Sequence, residues 1–248
     1  MLPRLLDGRA VGILGFTYQE HAAAWRTADR AVTVVDRLAA LGDFDVGLVV
    51  NPNNPDGRLV SPDDLVALAG TMAAAGRRLI VDEAFVDVLD GDASLAPRLP
   101  VAGAIVLRSF GKTWGLAGLR LGFVLAEPAV ATAVRAAFGP WAVSGPAIVI
   151  GVAALADRPW LAAARARTRR DAARLDRILA AAGLRMIGGT PLFRLVEAAT
   201  ATEIADRLAA AGIHVRRFPH DPTRLRFGLP GDEAAWRRLC DGLSVPPG

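Results

Sequence analysis

Short apolar runs, closed off by glycine, proline or acidic residues, alternate along the first half of the chain with alanine-rich stretches whose apolar positions fall at helical spacing. Runs this short and this apolar predict strands buried on both faces, and their alternation with helices predicts a largely parallel sheet. The predicted strands are Ala10–Leu14, Val46–Val50, Arg78–Val81 and Ala104–Leu107. Helices are predicted over Glu20–Ala28 and Pro62–Ala75. The second has Ser61 as its cap, proline at its first position and Asp63 and Asp64 in its first turn, where acceptors and negative charge meet unpaired amides. After Pro159 the texture changes. A long charged helix is expected over Trp160–Ala182, stopped by Gly183, followed by short strands near Leu192–Val196 and Arg224–Phe227 around a helix at Ala201–Ala211. The expectation is an α/β protein with a mostly parallel large domain over residues 1–158 and a smaller α+β domain over residues 159–248. The uncharged stretch Ala142–Ala156 is shorter than the ~20 residues that span a bilayer and reads as a core helix.

Composition agrees with a packed interior: 52% of the 248 residues are hydrophobic and 22% are charged. The formal net charge is +4, with basic residues interleaved among 25 acidic ones, so no stripe suited to nucleic acid is present. Cys240 is the single cysteine, which rules out an internal disulfide framework and fits a reducing compartment. MLPRLLDGR lacks the apolar stretch of a signal peptide, and a cytoplasmic location is expected. No metal is expected.

One count changes the picture. Of 29 basic residues 28 are arginine, and the exception is Lys112. Arginine can replace lysine wherever a solvated charge suffices, but not where a primary amine must lose its proton and attack a carbonyl. The lone lysine therefore suggests amine chemistry.

In an open α/β sheet ligands bind beyond the carboxyl ends of the strands. Four predicted strands lead there to polar groups: Tyr18 in GFTYQEH, Asn54 in NPNNPDG, Asp82 in VDEAF, and Ser109 with Lys112 in SFGKTWGLAGLRLGF. Each alone has a plain reading as a turn former, a solvated carboxylate or a core cap. Together they match what a pyridine cofactor needs: an aromatic face, a donor to the phenolic oxygen, a carboxylate at the ring nitrogen and an amine for the imine. A phosphate-binding P-loop at Gly111–Thr113 is disfavoured, because the motif's first glycine position holds Val106.

These motifs, with the late LRFGLPG, resemble the fold-type I pyridoxal-phosphate enzymes of the class I and II aminotransferase group, and within it the threonine-phosphate decarboxylases and histidinol-phosphate aminotransferases. The resemblance implies the aspartate-aminotransferase fold, pyridoxal 5'-phosphate as cofactor, and a homodimer. By position it implies that Lys112 carries the imine and moves protons, Asp82 keeps the pyridine nitrogen protonated, Asn54 donates to the phenolic oxygen, Tyr18 stacks on the ring, and Ser109 and Arg120 bind the phosphate. Arg226 would pair with the substrate α-carboxylate. Arg216 would meet a substrate phosphate, or lie on a solvated surface. The implied reaction is decarboxylation of L-threonine O-3-phosphate to (R)-1-amino-2-propanol O-2-phosphate in cobalamin biosynthesis. The alternatives are transamination of the histidinol-phosphate type and a non-catalytic truncated homologue.

Two departures from the family pattern stand out. Phe85 occupies a position where many relatives have tyrosine, and the resemblance begins inside the family's large domain. The N-terminal arm and the glycine turn that cradle the cofactor phosphate have no counterpart, which implies an N-terminally truncated chain with weakened cofactor affinity.

Overall fold

The computed structural model describes residues 1–246. The chain divides into two compact units, Met1–Asn54 with Arg58–Arg158, and Pro55–Gly57 with Pro159–Gly248.

The first unit begins with a short helix α1 (Leu2–Leu5), strand β1 (Ala10–Leu14), helix α2 (Gln19–Arg26), strand β2 (Ala31–Val35) and strand β3 (Val46–Val50). Helix α3 (Pro62–Ala74), strands β4 (Arg78–Asp82), β5 (Ala104–Ser109) and β6 (Gly122–Ala126), and helices α4 (Pro128–Phe138) and α5 (Gly145–Ala156) complete it. The six strands form one sheet in the order β2-β1-β3-β4-β5-β6, parallel except for β6, which runs antiparallel to β5. Alternate residues of each strand feed opposite faces. Val49, Leu79, Val81 and Val106 pack with Leu65, Ala69 and Met72 of α3 on one side. Ile13, Leu48, Ile80 and Ile105 pack with Trp25 of α2 on the other. Two-sided burial explains why these strands are apolar throughout. As expected, α3 is held at its start by Ser61, whose hydroxyl accepts from the Asp64 amide at 3.1 Å and donates to the Asp64 carboxylate at 2.7 Å.

The order reverses between β1 and β3, because β2 lies on one side of β1 while β3 to β5 continue on the other. That switch point opens a crevice at the carboxyl edge of the sheet. Neither β2 nor β6 was expected. β2 is an edge strand, largely exposed, without the two-sided apolar signature, and β6, at the opposite edge, starts at the end of the glycine-rich SFGKTWGLAGLRLGF segment and is only partly buried.

Helix α5 corrects a second expectation. It forms where predicted, with Ser144 accepting from the Ala147 amide, but it is not a core helix. Ala147 and Gly151 are its buried residues, whereas Val149 is 70% and Val152 64% exposed. The helix packs through its small side chains. A Cβ on Gly151 would stand 2.6 Å from Leu121 Cδ2, so a larger residue there would require the Leu121 side chain to move.

The second unit contains helix α6 (Arg158–Ala181), strands β7 (Arg185–Thr190) and β8 (Phe193–Glu197), helix α7 (Ala201–Ala210), strands β9 (Arg216–Arg217) and β10 (Arg224–Gly228), and helix α8 (Glu233–Leu243). Its antiparallel sheet has the order β7-β8-β10-β9. Leu175 and Leu179 of α6, Leu208 of α7, and Trp236 and Leu239 of α8 close on Val196, Leu225 and Phe227 of this sheet. Their spacing at three and four residues gives each helix one apolar stripe.

Candidate functional site

The loops after β1, β3, β4 and β5 meet around a cavity of about 320 Å³ lined by Tyr18, Asn54, Asp82, Phe85, Ser109 and Lys112, together with Val50, Ala84, Leu107 and Arg108. The register sets its depth: Asp82 pairs with Val50 on β3 and with Leu107 on β5, so these three residues lie side by side.

Asp82 is the last residue of β4 and is held from two directions. Its Oδ1 accepts from the Ala84 amide at 3.0 Å, and its Oδ2 lies 2.7 Å from His21 Nε2. Both side chains are mostly shielded, with exposures of 13% for Asp82 and 16% for His21. His21 was not singled out from the sequence, although it lies in the first turn of α2, three residues after Tyr18. Tyr18 precedes α2 and is half exposed, and its ring meets that of His21 edge-on at 5.7 Å.

The NPNNPDG loop divides its asparagines by role. Asn51 bridges to both backbone groups of Val60, accepting at 2.9 Å and donating at 3.1 Å. Asn53 accepts from the Thr17 hydroxyl at 2.5 Å and donates to the Phe16 carbonyl at 3.0 Å. Both are fully buried, and they fix the loop so that Asn54 lines the cavity.

Lys112 lies in the turn after β5. Its carbonyl accepts from the Gly115 amide at 3.0 Å, and Gly115, with φ of +69°, supplies a left-handed conformation that costs glycine little. Lys112 is an exposed residue, and its Nζ lies 5.5 Å from the centre of the Phe85 ring. Ser109 Oγ accepts from the Gly111 amide at 3.1 Å, which turns the hydroxyl toward the loop's own amides. Arg120 is exposed, has φ of 52°, donates to the Ala117 carbonyl at 3.3 Å, and is not among the residues lining the cavity.

Arg226 and Arg216 belong to the second unit. They are directly paired across β10 and β9, so their side chains rise from one face of the sheet. Arg226 also stacks on Phe193, with its guanidinium carbon 5.1 Å from the ring centre. Burial, and then the neighbouring charge of Arg216, push the Arg226 guanidinium below its usual pKa. Two like charges held together in this way favour an anion between or beside them.

The doubly wound sheet of the first unit and the antiparallel unit that follows it define the aspartate-aminotransferase fold. The chain belongs to the aminotransferase class I and II family, whose model matches residues 4–243. It is 46% identical over 253 residues to a threonine-phosphate decarboxylase from a Sinorhizobium species, covering 98% of this chain and 73% of that protein. To the threonine-phosphate decarboxylase of Pseudomonas aeruginosa it is 43% identical over 245 residues, with the same coverage of each. Among solved structures, a histidinol-phosphate aminotransferase from Sinorhizobium meliloti in complex with pyridoxal-5'-phosphate superposes with a TM-score of 0.82 at 25% identity, covering 98% of this chain and 72% of that one.

Proposed function

We propose that the chain binds pyridoxal 5'-phosphate in the cavity at the sheet switch point and decarboxylates L-threonine O-3-phosphate to (R)-1-amino-2-propanol O-2-phosphate, the step that gives it a place in cobalamin biosynthesis. The residues fit the cofactor: one cavity brings together an aromatic face, an amide, a hydroxyl, an amine and a carboxylate that is already hydrogen-bonded. Bound there, pyridoxal phosphate supplies an aldehyde that condenses with amines and a protonated ring that accepts the electron pair left when a bond to the substrate Cα breaks.

The chain's own groups set up that chemistry. Asp82, held by His21 and the Ala84 amide, keeps the proton on the ring nitrogen. Tyr18 covers one ring face and shields it from water. Asn54 would donate to the phenolic oxygen and Ser109 to the cofactor phosphate, with Arg120, outside the cavity lining, turning from the Ala117 carbonyl to join it. Lys112 Nζ would hold the cofactor aldehyde, and the same amine is the group that would carry a proton to the substrate Cα. Arg226 holds the substrate α-carboxylate and Arg216 the substrate phosphate, two anions suited to the paired arginines of β9 and β10. We further propose a homodimer, with residues 1–158 as the cofactor-binding domain and 159–248 as the smaller one.

The observation that carries the choice of reaction is the 46% identity over 98% of the chain to a threonine-phosphate decarboxylase. Transamination is the second reading, favoured by the 33% identity to the histidinol-phosphate aminotransferase of Paracoccus denitrificans. Borohydride reduction in the presence of the cofactor is expected to fix it on Lys112, seen as a single modified peptide by mass spectrometry. A peptide map with no cofactor on Lys112 would contradict both readings.

A further inference from the structure

From the cavity wall at Arg108 outward, the segment that carries Asp82 and the segment that carries Lys112 are joined by a polar network. Glu83, the next residue after Asp82, is fully buried. Its carboxylate accepts from the Ser94 hydroxyl and from the Leu95 amide, both at 2.5 Å, and from Arg108 Nη1 at 3.4 Å. Arg108 Nη1 also donates to Ser94 Oγ at 3.2 Å, and Nη2 donates to Asp87. The other Asp87 oxygen accepts from the Trp114 indole at 3.4 Å, and Trp114 stacks on Phe110 at 5.5 Å. Phe110 and Trp114 stand two residues before and two after Lys112.

Arg108 therefore sits at the centre of a brace. On one side are Glu83 and Asp87, one and five residues beyond the ring-nitrogen carboxylate. On the other is the aromatic pair that flanks the amine. A planar guanidinium can hold two carboxylates in fixed directions at once, which a lysine cannot. Burial drives the Glu83 carboxyl above its usual pKa, while Ser94, the Leu95 amide and Arg108 pull it back, so the guanidinium is part of what makes a buried acid tolerable there.

We infer that Arg108 is a positioning residue that fixes the distance between Asp82 and Lys112, and hence the fit of the cavity to a ring bonded at both ends. The inference rests on the cofactor reading above. Arg108 itself lines the cavity and Asp87 does not, so Asp87 separates support from direct contact; removing a supporting group typically costs about tenfold in affinity.

The test uses the full chain with Arg108→Gln, Arg108→Lys and the milder Asp87→Asn, which keeps the size of the side chain. Three quantities are read: affinity for pyridoxal phosphate by fluorescence titration, the pH titration of the bound imine's visible absorbance, and the melting temperature without cofactor. R108Q is expected to bind the cofactor about tenfold more weakly with a displaced imine titration. D87N should shift both in the same direction by less, and R108K should not restore either. Wild-type affinity and imine titration in R108Q, or in D87N should R108Q not fold, overturn the inference whatever happens to the melting temperature. A wild-type chain that takes no borohydride label on Lys112 overturns the cofactor reading and this inference together. A labelled wild type with unchanged variants overturns the inference alone.

Discussion

Phe85 lines the cavity beside Lys112 and, unlike tyrosine, offers no hydroxyl to the phenolic oxygen of a bound cofactor. A donor at that oxygen would weaken its hold on the imine proton, so Phe85→Tyr is predicted to lower the imine pKa by roughly one unit. A spectrophotometric pH titration of the two holoproteins reads this directly, and an unchanged or raised value would oppose it. That Tyr18, Asn54, Asp82 and Lys112 line one cavity was legible because each follows a short apolar run that reads as a buried strand. The parts played by His21 and Arg108 were not. His21 meets Asp82 across 61 positions, and Arg108 meets Asp87 across 21, and no local spacing encodes such pairings. The direct partner of Asp82 thus came from the fold alone, as did the link between Asp82's segment and that of Lys112.

At the scale of elements, the central strands were readable because two-sided burial leaves them no polar positions, whereas β2 and β6 at the sheet edges carry weaker signals. What starts β1 was equally hidden. Asp45, just before β3, accepts through Oδ2 from the amides of Arg9 and Ala10 at 2.7 and 2.9 Å, tying the entry of β1 to its neighbour. These backbone donors, Ala10 first, hold the Asp45 carboxyl below its usual value of 3.8. A carboxyl with a depressed folded pKa stabilises above its unfolded pKa and loses that contribution as pH falls through the folded value. Asp45→Asn is therefore predicted to cost about 1 kcal/mol at neutral pH, a modest figure because the site is partly solvated. The gap from wild type in denaturant melts should close as the pH is lowered below 3.8. A gap that stayed constant with pH would assign the effect to shape and not to charge.

Over the whole molecule, the sheet that presents Lys112 and the sheet that pairs Arg216 with Arg226 are separate units, each with its own core. Among the described residues no single helix is long and apolar enough to cross a membrane. The change of texture after Pro159 falls where the long segment of the second unit begins, whereas nothing in the sequence assigns Pro55–Gly57 to that unit. The exposed apolar surface of α5 was not readable either, because an uncharged helix looks the same in sequence whether its large side chains are covered or open. The reaction itself is decided by which bond to the substrate Cα breaks, a matter of orientation that no residue pattern encodes. The most direct measurement supplies the chain and pyridoxal phosphate with carboxyl-labelled L-threonine O-3-phosphate and counts labelled carbon dioxide. Release of label matched one for one by 1-amino-2-propanol O-2-phosphate is the predicted result. Label retained in a 2-oxo acid, or no turnover by a chain that carries the cofactor on Lys112, would contradict it.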